Sequence, residues 1–331
     1  MAFEFSKTGD TVYSNTFPGI TKRDSIYVTP KDYGKIPITI SHWKPEPCFW
    51  DAGFQPVAQS IKDLEVRPDD VWLIAYPKSG ITWCQEMIWL VCNNLDYEKA
   101  ASLKIDHRWC YLDLCTKMKH EEPLPMVSAP SPRFIKSHLP VALLPDRIWS
   151  VKPKIVYVRR NPKSVAVSYY HHYVSIYGCT ATKEQFMRAF LSDQILSSPY
   201  HQHVIEYHHL DYPDNLLYLC YEDMKKDLKG TLRRVCSFFG KSYSDDQFDT
   251  LTQHLSFDSL KNNKAVNFSD VTQQALQHSN RADKLADPNF KFMRRGEVEG
   301  WKRELDPETI KEFENWTNSK VLDPEDRKLF D

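Results

Sequence analysis

A lysine, a glycine and two hydroxyl side chains stand together in Tyr76-Pro77-Lys78-Ser79-Gly80-Ile81-Thr82-Trp83. The segment lies between an apolar run, which predicts a buried strand, and an apolar-rich stretch, which predicts a helix. Such a strand–turn–helix element directs backbone N–H groups and the positive helix end at one small volume, and this favours an anionic ligand. The alternative is an ordinary turn. Because the lysine precedes the only glycine, the order differs from that of a Walker A loop, and we predict a phosphate-binding loop of another type.

A lysine and a histidine alternate in the run Phe134-Ile135-Lys136-Ser137-His138, which predicts a second strand. Side chains two residues apart on a strand share a face, so we expect Lys136 and His138 to point the same way. A neighbouring cation lowers the pKa of an imidazole, which keeps the ring neutral and able to accept a proton near pH 7. Most of the 12 histidines must be structural. His138 stands out because its strand should end at the same sheet edge as Lys78, where α/β proteins bind ligands.

Two further basic segments complete the set of candidate binding residues. In Val158-Arg159-Arg160-Asn161-Pro162 a predicted strand runs into a helix that is capped by asparagine, with proline at its first position. Successive arginines on a strand face opposite ways, so we assign Arg160 to an anion and Arg159 to a structural pair. Ser168, two turns into the helix, could add a hydroxyl. Arg294-Arg295-Gly296 reads most simply as a solvated charge run, but beside the other basic segments it indicates a ligand with more than one phosphate-like group.

The elements that must position these residues alternate regularly along the chain. We predict strands over residues 71–76, 133–137, 154–159 and 215–221, and helices over 82–94, 162–177, 225–239 and from 307 onward. This alternation predicts an α/β fold in which helices cover both faces of a central parallel sheet. Residues 69–331 are expected to form one α/β domain, and residues 1–68 an irregular segment packed on it. Residues 265–300 show little periodicity and are predicted to form a long surface loop.

Composition narrows the class of protein. The 331 residues carry 43 Lys and Arg against 44 Asp and Glu, a balance that argues against a nucleic-acid or membrane-surface binder. No apolar run approaches 18 residues, so we expect no membrane insertion. The eight cysteines are scattered and contain no Cys-x-x-Cys pair, which predicts reduced thiols and no zinc site. The chain starts without an apolar secretion segment, so we expect a cytoplasmic location.

Four motifs in order resemble those of the cytosolic sulfotransferase family, over roughly residues 70 to 302. They are the segment 76–83, Arg-Asn-Pro-Lys-x-x-x-Val-Ser-Tyr-Tyr-His at 160–171, Tyr-Glu-Asp-Met at 221–224 and Arg-Arg-Gly-x-x-x-Gly-Trp-Lys at 294–302. The resemblance implies a P-loop-like three-layer fold and the donor 3′-phosphoadenosine 5′-phosphosulfate. It also implies transfer of the sulfonyl group to a hydroxyl or amine of a small hydrophobic acceptor, such as an alcohol, phenol, sterol or retinoid.

The resemblance also implies roles for individual residues. The loop around the 5′-phosphosulfate would consist of Lys78, Ser79, Gly80, Ile81, Thr82 and Trp83. The 3′-phosphate would be held by Arg160, Ser168, Arg294, Arg295 and Gly296. Trp83 and Phe257 would enclose the adenine, with Tyr221 and Ser256 also in the nucleotide site. His138 would take the proton of the acceptor, Lys136 would stabilise the transferring group, and Lys78 would lie beside the leaving oxygen. No metal is expected, since a sulfonyl group carries less charge than a phosphoryl group and lysines can replace the metal.

Departures from the family pattern, and other readings of the same residues, limit what the resemblance implies. Ile81 stands where a threonine is usual, which removes a hydroxyl but leaves the backbone donor. His172 stands where the family normally has an acceptor-facing phenylalanine, so relatives do not define the acceptor. The family's short dimerisation motif is not seen, which leaves the oligomeric state open.

Other functions would use some of the same residues. A dehydratase acting through a transient sulfate ester, like the insect retinol dehydratases, would need the same donor and base. A nucleotide kinase would need a Walker pattern and a magnesium-binding group, and neither is evident in the sequence. A nucleotide-binding protein without catalysis would not need Lys78, Lys136 and His138 together.

Overall fold

The chain begins with a small antiparallel sheet in the computed structural model, which describes residues 2–9, 25–116, 124–278 and 290–331. Strand β2 (Ser25–Pro30) pairs with β1 (Phe3–Lys7) on one side and with β3 (Cys48–Asp51) on the other. The prediction of an irregular structure for residues 1–68 was therefore wrong for these three strands. Most of their buried apolar side chains join one hydrophobic cluster with Trp72 and Ile74, so the small sheet packs on one face of the main one.

Five parallel strands form the central sheet within the described residues: β4 (Val71–Ile74), β5 (Cys110–Tyr111), β6 (Phe134–Ser137), β7 (Lys154–Arg159) and β8 (Leu216–Cys220). Their spatial order is β5-β6-β4-β7-β8. All four residues of β4 are buried, with Val71 and Leu73 in one hydrophobic cluster and Trp72 and Ile74 in another. A strand covered on both faces is apolar throughout, which is why its continuous run predicted it. The predicted central parallel sheet flanked by helices is confirmed.

The helices around the sheet are α1 (Ala58–Lys62), α2 (Ile81–Cys92), α3 (Tyr97–Ser102), α4 (Ile105–Arg108), α5 (Ile148–Val151), α6 (Pro162–Tyr177), α7 (Lys183–Leu191), α8 (Tyr200–His208), α9 (Tyr221–Lys226), α10 (Leu228–Phe238), α11 (Asp245–His254), α12 (Phe257–Asn262), α13 (Ser269–His278), α14 (Pro307–Lys320) and α15 (Pro324–Arg327). Short 3-10 helices cover Ala52–Phe54, Leu112–Thr116, Pro125–Val127, Val141–Leu143, Gly300–Arg303 and Lys328–Phe330.

Two of the predicted elements need correction. The single helix expected over 225–239 is two helices, α9 and α10, because Asp227 leaves the helical conformation and its side chain caps α10 by accepting from the Gly230 N–H at 2.8 Å. The loop expected over 265–300 contains α13, while residues 279–289 of that prediction lie outside the described part of the chain. Strand β5 was not predicted, since two residues are too short to show a periodic pattern.

The register of the sheet brings the candidate segments to one edge. Ile74 at the end of β4 pairs with Ser137 on β6 and with Tyr157 on β7. Because the three strands are parallel and nearly level, the residues that follow them emerge side by side. These residues are Lys78 after β4, His138 after β6 and Arg160 after β7.

A buried ion pair lies at the opposite end of the strands, just before β4 and β6 begin. The guanidinium of Arg133 donates to both carboxylate oxygens of Asp70, at 2.7 and 2.6 Å, and both side chains are fully buried. It also donates to the carbonyl of Met126. A buried pair of this kind is costly to break, because the remaining charge would be left uncompensated in an apolar environment.

Within the described ranges no helix has both the length and the apolar character needed to cross a bilayer. Seven of the eight cysteines have free thiols, and the side chain of Cys115 lies outside the part that the structure describes.

Candidate active site

A cavity of about 1120 Å³ opens where the segments after β4, β6 and β7 meet. Most of the residues predicted for donor binding, proton transfer and acceptor contact line this one cavity. They are Lys78, Gly80, Ile81, Thr82, Trp83, Lys136, His138, Arg160, Ser168, His172, Tyr221, Phe257, Arg294, Arg295 and Gly296. Segments as far apart in sequence as Lys78 and Gly296 are thus brought to a single site.

Two predicted residues are not among those that line the cavity. Ser79, within the loop itself, is fully buried. Ser256 is the N-cap of α12, where its hydroxyl accepts from the Ser259 N–H at 3.3 Å. The structure therefore does not bring these two side chains together with the others, and their predicted contacts with the nucleotide stay a prediction.

The loop after β4 depends on two residues with positive φ. Lys78 has φ 71° and Gly80 has φ 101°, so the chain reverses tightly before α2 begins. A Cβ atom added at Gly80 would lie 2.6 Å from Cδ2 of Tyr221, which is closer than real contacts allow. Glycine is required here both by its backbone angle and by the close approach of the tyrosine ring. Tyr221 in turn lies 5.6 Å from the ring of Trp83, so one aromatic pair flanks the loop.

Lys78 carries an unusual charge state for a lysine. Burial, followed by the charges of Lys136, Arg160 and Arg294, lowers its pKa from 10.5 to about 7. Its ammonium lies 4.4 Å from the centroid of the Phe292 ring. Each additional positive charge nearby disfavours the protonated amine, whereas an anionic ligand would favour it. The site is therefore a concentration of positive charge that a polyanion would stabilise.

His138 is held in one tautomer by the backbone of the neighbouring strand segment. Its Nδ1 lies 2.6 Å from the carbonyl oxygen of Ala75. A carbonyl only accepts hydrogen bonds, so Nδ1 carries the proton and Nε2 of the neutral ring carries the lone pair. The backbone N–H of His138 donates to Asp113 at 2.6 Å, and the Ser137 hydroxyl donates to the other oxygen of the same carboxylate at 2.7 Å. Asp113 thus fixes the end of β6.

Lys136 and His138 face the same side of the strand, as alternation predicts. The Lys136 ammonium lies 4.2 Å from the centroid of the Tyr111 ring, and the His138 ring lies 5.6 Å from the same ring, perpendicular to it. Both residues line the cavity. A cation and a proton acceptor are therefore positioned side by side against one aromatic surface.

The two arginines at the end of β7 diverge, as predicted from their positions on the strand. Arg159 donates to the carbonyl oxygen of Leu329 at 2.5 Å, a structural contact with the C-terminal segment. Arg160 lines the cavity, donates to the Lys78 carbonyl at 3.2 Å and stacks 4.2 Å from the Tyr221 ring centroid. Its contact with the Lys78 carbonyl ties the loop after β4 to the start of α6, so the two basic segments form one surface.

A carboxylate that the sequence analysis missed holds the third basic segment. Glu304 accepts from Nη1 of Arg294 at 2.5 Å and from Nε2 of His171 at 2.6 Å, and it lies 3.4 Å from Arg295. Burial opposes ionisation of this carboxyl, but the hydrogen bonds from His171 and Arg294 outweigh it and lower its pKa to about 2. Glu304 thus anchors both arginines to α6.

Neither Glu304 nor Asp113 could be singled out from the sequence. Their partners lie as far as 133 residues away, and acidic residues are frequent in this chain. The only local signal for Asp113 is its place just after β5, and β5 itself was too short to predict.

One group of metal-ligand residue types occurs elsewhere in the described part of the chain. One ligand atom each of His208, His209 and Asp326 lies within 4.8 Å of the others. None of the three lines the cavity, and His209 already contacts Asp326 at 2.7 Å. This grouping was not visible in the sequence, and it is separate from the candidate active site.

Comparison with known proteins adds to this geometry. A family model described as the sulfotransferase domain matches residues 68–324. The luciferin sulfotransferase of Photinus pyralis is 38% identical over 282 residues, which cover 80% of this chain and 74% of the relative.

Two solved structures are similar over nearly the whole chain. A retinol dehydratase in complex with retinol and PAP has a TM-score of 0.81 at 27% identity, covering 98% of both chains. A retinol dehydratase in complex with androsterone and the inactive cofactor PAP has a TM-score of 0.83 at 26% identity, covering 98% of this chain and 97% of the other. These likenesses extend beyond the range of the family model and include the region of the small N-terminal sheet.

Proposed function

Since this chain belongs to the sulfotransferase family, we propose that it transfers the sulfonyl group of 3′-phosphoadenosine 5′-phosphosulfate to a hydroxyl of a small hydrophobic acceptor. Family membership makes the protein a sulfotransferase that depends on this donor, as the sequence predicted. The acceptor class, the base and the roles of individual residues are our proposal.

The hydrogen bond between Nδ1 of His138 and the Ala75 carbonyl is the observation that carries the proposal. It supports Nε2 as the atom that accepts the proton of the acceptor hydroxyl. A general base must present a lone pair at the reacting atom, and a fixed tautomer supplies this without rearrangement. Asp113 supports the same role indirectly, because it holds the backbone of His138 in place.

The cations of the cavity fit the donor. Lys78 and Lys136 would neutralise the charge that develops on the leaving oxygen and on the transferring group, while Arg160 and Arg294 would hold the 3′-phosphate. The donor supplies an activated sulfonyl group whose bond to the bridging oxygen breaks as the bond to the acceptor oxygen forms. The depressed pKa of Lys78 supports this assignment, since the site gathers positive charge that a polyanion would offset.

The lining of the cavity supports a hydrophobic, partly aromatic acceptor. Trp50, Tyr111 and Phe292 line it together with Met126. The crystallised retinol dehydratase binds retinol or androsterone, and the curated relative is a luciferin sulfotransferase. His172 also lines the cavity, with its ring 5.8 Å from that of Phe292. We propose that His172 contacts the acceptor.

The test is a mass-spectrometric assay with the phosphosulfate donor and a panel of phenols, alcohols and retinoids. We expect sulfate esters from the wild-type protein and none from His138→Ala, with binding of adenosine 3′,5′-bisphosphate retained in that variant. His208→Ala, which removes an exposed histidine away from the cavity, is the matched control and should keep turnover. Turnover by His138→Ala at the wild-type rate would refute the assignment of the base.

A dehydratase is the second candidate, because the likeness to retinol dehydratase covers 98% of this chain. In that case His138 would still take the hydroxyl proton, and the sulfate ester would be lost as free sulfate within the site. The same assay separates the two activities, since an allylic alcohol would yield a product lighter by one water. A nucleotide kinase would instead transfer phosphate and lose activity in a chelator, restored by magnesium.

A further inference from the structure

A buried polar cluster supports the segment that follows β6. It consists of Tyr157 on β7 and of His203 and Tyr207 on α8, and we call it the support cluster. His203 is 1% exposed, and both tyrosines are fully buried. None of the three side chains lines the cavity of the candidate active site. The support cluster therefore has no direct contact with a donor or an acceptor bound there.

Two side chains of α8 reach two successive carbonyls at the candidate base. Nε2 of His203 lies 3.1 Å from the carbonyl oxygen of His138. Tyr207, one helical turn further along, donates to the carbonyl of Leu139 at 2.9 Å. Strand β6 ends at Ser137, so both carbonyls lie beyond the paired part of the strand. Side chains of α8 thus hold the main chain at the point where strand pairing has ended.

The contacts of His203 fix which of its nitrogens carries the proton. A carbonyl oxygen only accepts hydrogen bonds, so Nε2 of His203 carries the hydrogen that points at His138. Burial lowers the pKa of His203 to about 4, so the ring is neutral near pH 7 and Nδ1 has a lone pair. The Tyr157 hydroxyl lies 2.9 Å from this Nδ1 and 3.2 Å from the carbonyl oxygen of His203. Tyr157 therefore holds His203 in the orientation that its donation to His138 needs.

Aromatic contacts make the support cluster rigid. The rings of Tyr157 and Tyr207 stack with their centroids 4.3 Å apart and their planes 14° apart. The His203 ring lies 5.3 Å from that of Tyr207 and 5.7 Å from that of Tyr76, to which it is perpendicular. Buried polar groups that are hydrogen-bonded to one another rigidify their surroundings. Apolar side chains could fill the same space without the cost of burying polar groups, so a role for the hydrogen bonds themselves is indicated.

Three contacts restrain His138 from different sides. Asp113 accepts from its N–H, His203 donates to its carbonyl, and the Ala75 carbonyl accepts from its ring. The first two contacts fix the backbone on both sides of Cα and the third fixes the ring, so together they determine the direction of Nε2. Proton transfer requires that direction to match the acceptor hydroxyl, and a displacement of about 1 Å can cost roughly 100-fold in rate.

We propose that His203 is a positioning residue for sulfonyl transfer, which holds the main chain of His138 so that Nε2 of the base faces the acceptor hydroxyl. This inference rests on the proposed function. His138 would take the hydroxyl proton while the acceptor oxygen bonds to sulfur and the bridging oxygen leaves. His203 would exchange no proton and touch none of the reacting groups.

The test replaces His203 by two side chains of similar length, of which only one can donate a hydrogen bond. His203→Gln supplies an amide N–H close to the position of Nε2, whereas His203→Met has no donor. In a single turnover with a neutral alcohol or phenol, we expect the rate of transfer to fall at least about ten-fold in His203→Met and at most about three-fold in His203→Gln. Calorimetric dissociation constants of bisphosphate and acceptor should not change, because His203 does not line the cavity.

An acidic phenol that is already ionised at the assay pH separates loss of positioning from general damage. Such an acceptor needs no base, so its rate of transfer should be the same in the wild-type protein and in His203→Met. A variant that is merely unstable would slow the neutral and the ionised acceptor alike. Equal losses with the two acceptors, or a His203→Gln variant as slow as His203→Met, would overturn the inference.

His201→Met is the matched control. His201 is a second buried histidine on α8, but its Nε2 pairs with Thr317 at 3.1 Å, and it does not line the cavity. This variant should keep the wild-type rate with the neutral acceptor. Tyr157→Phe is a milder variant in case His203→Met does not fold, and loss of its one hydroxyl should lower that rate about three-fold. Thermal unfolding reports whether each variant is folded, and wild-type rates in both His203→Met and Tyr157→Phe would refute the role of His203.

Proton NMR separates this inference from the proposed function. The Nδ1–H of His138, identified by its absence from His138→Ala, should exchange slowly with water in the wild-type protein and in His203→Gln and rapidly in His203→Met. If no acceptor is sulfonated but the exchange depends on His203 in this way, the proposed function fails and the positioning of His138 stands. If the wild-type protein sulfonates its acceptor and His203→Met keeps both slow exchange and rate, the proposed function stands and the positioning role fails.

Discussion

Binding of the donor nucleotide should depend on pH through Lys78. Its pKa is lowered to about 7, first by burial and then by neighbouring cations. A bound polyanion supplies the opposite charge and should return the pKa towards about 10.4, the usual value for lysine. Binding then takes up a proton whenever the pH lies between these two values, so the affinity must fall as the pH rises above 7.

The size of the effect follows from these two pKa values. Between pH 7 and pH 9 the affinity for adenosine 3′,5′-bisphosphate should fall about 50-fold, or about 2.3 kcal/mol, at 1.36 kcal/mol per pKa unit. Titration calorimetry in two buffers of different ionisation enthalpy should record uptake of about one proton near pH 8.5.

The variant Lys78→Met should remove both the slope and the proton uptake. Lys302→Met is the control, since Lys302 is an exposed lysine paired with Glu299, and this variant should keep them. A change in affinity of less than about three-fold between pH 7 and pH 9 would refute the reasoning. So would a pH dependence that persists in Lys78→Met, because another group would then carry the proton.

Three further substitutions test the supporting structure. Gly80→Ala should weaken bisphosphate binding about ten-fold by calorimetry, since its methyl group would displace the adjacent tyrosine ring and its φ of 101° is strained for alanine; wild-type affinity would show that the loop adapts. Glu304→Gln should also weaken bisphosphate binding, because Arg294 and Arg295 lose the carboxylate that anchors them. Tighter binding would show instead that Glu304 competes with the ligand for these arginines. Asp70→Asn should lower the free energy of unfolding by about 3 kcal/mol or more in a urea titration, because it leaves a buried arginine unpaired. Asp69 is the exposed residue next to Asp70, and the control Asp69→Asn should change the free energy of unfolding by less than about 1 kcal/mol.

The fold was predictable where burial leaves a continuous signal. Strand β4 reads as an unbroken apolar run because both of its faces are covered. Helix α6 could be placed from its first residues, because Asn161 caps it and Pro162 fits its first turn. The N-terminal sheet escaped prediction because each of its strands has at most three consecutive apolar residues, against six from Val71 to Tyr76. Pairing between distant segments leaves no periodic mark in a short strand.

The sequence by itself determined which chemical groups the site contains. Local backbone rules explain the turn at Gly80. The same kind of rule puts Lys136 and His138 on one face of a strand and makes Arg159 and Arg160 diverge. These rules act over a few residues, so they can be read directly from the order of amino acids.

The tertiary structure alone decided the state in which those groups act. The tautomer of His138 depends on a carbonyl 63 residues away, and the anchoring of Arg294 depends on where Glu304 meets α6. The lowered pKa of Lys78 arises from burial and from cations brought together by the sheet register. Electrostatic and hydrogen-bond energies depend on distance in space and on the exclusion of water, and neither is encoded by separation along the chain.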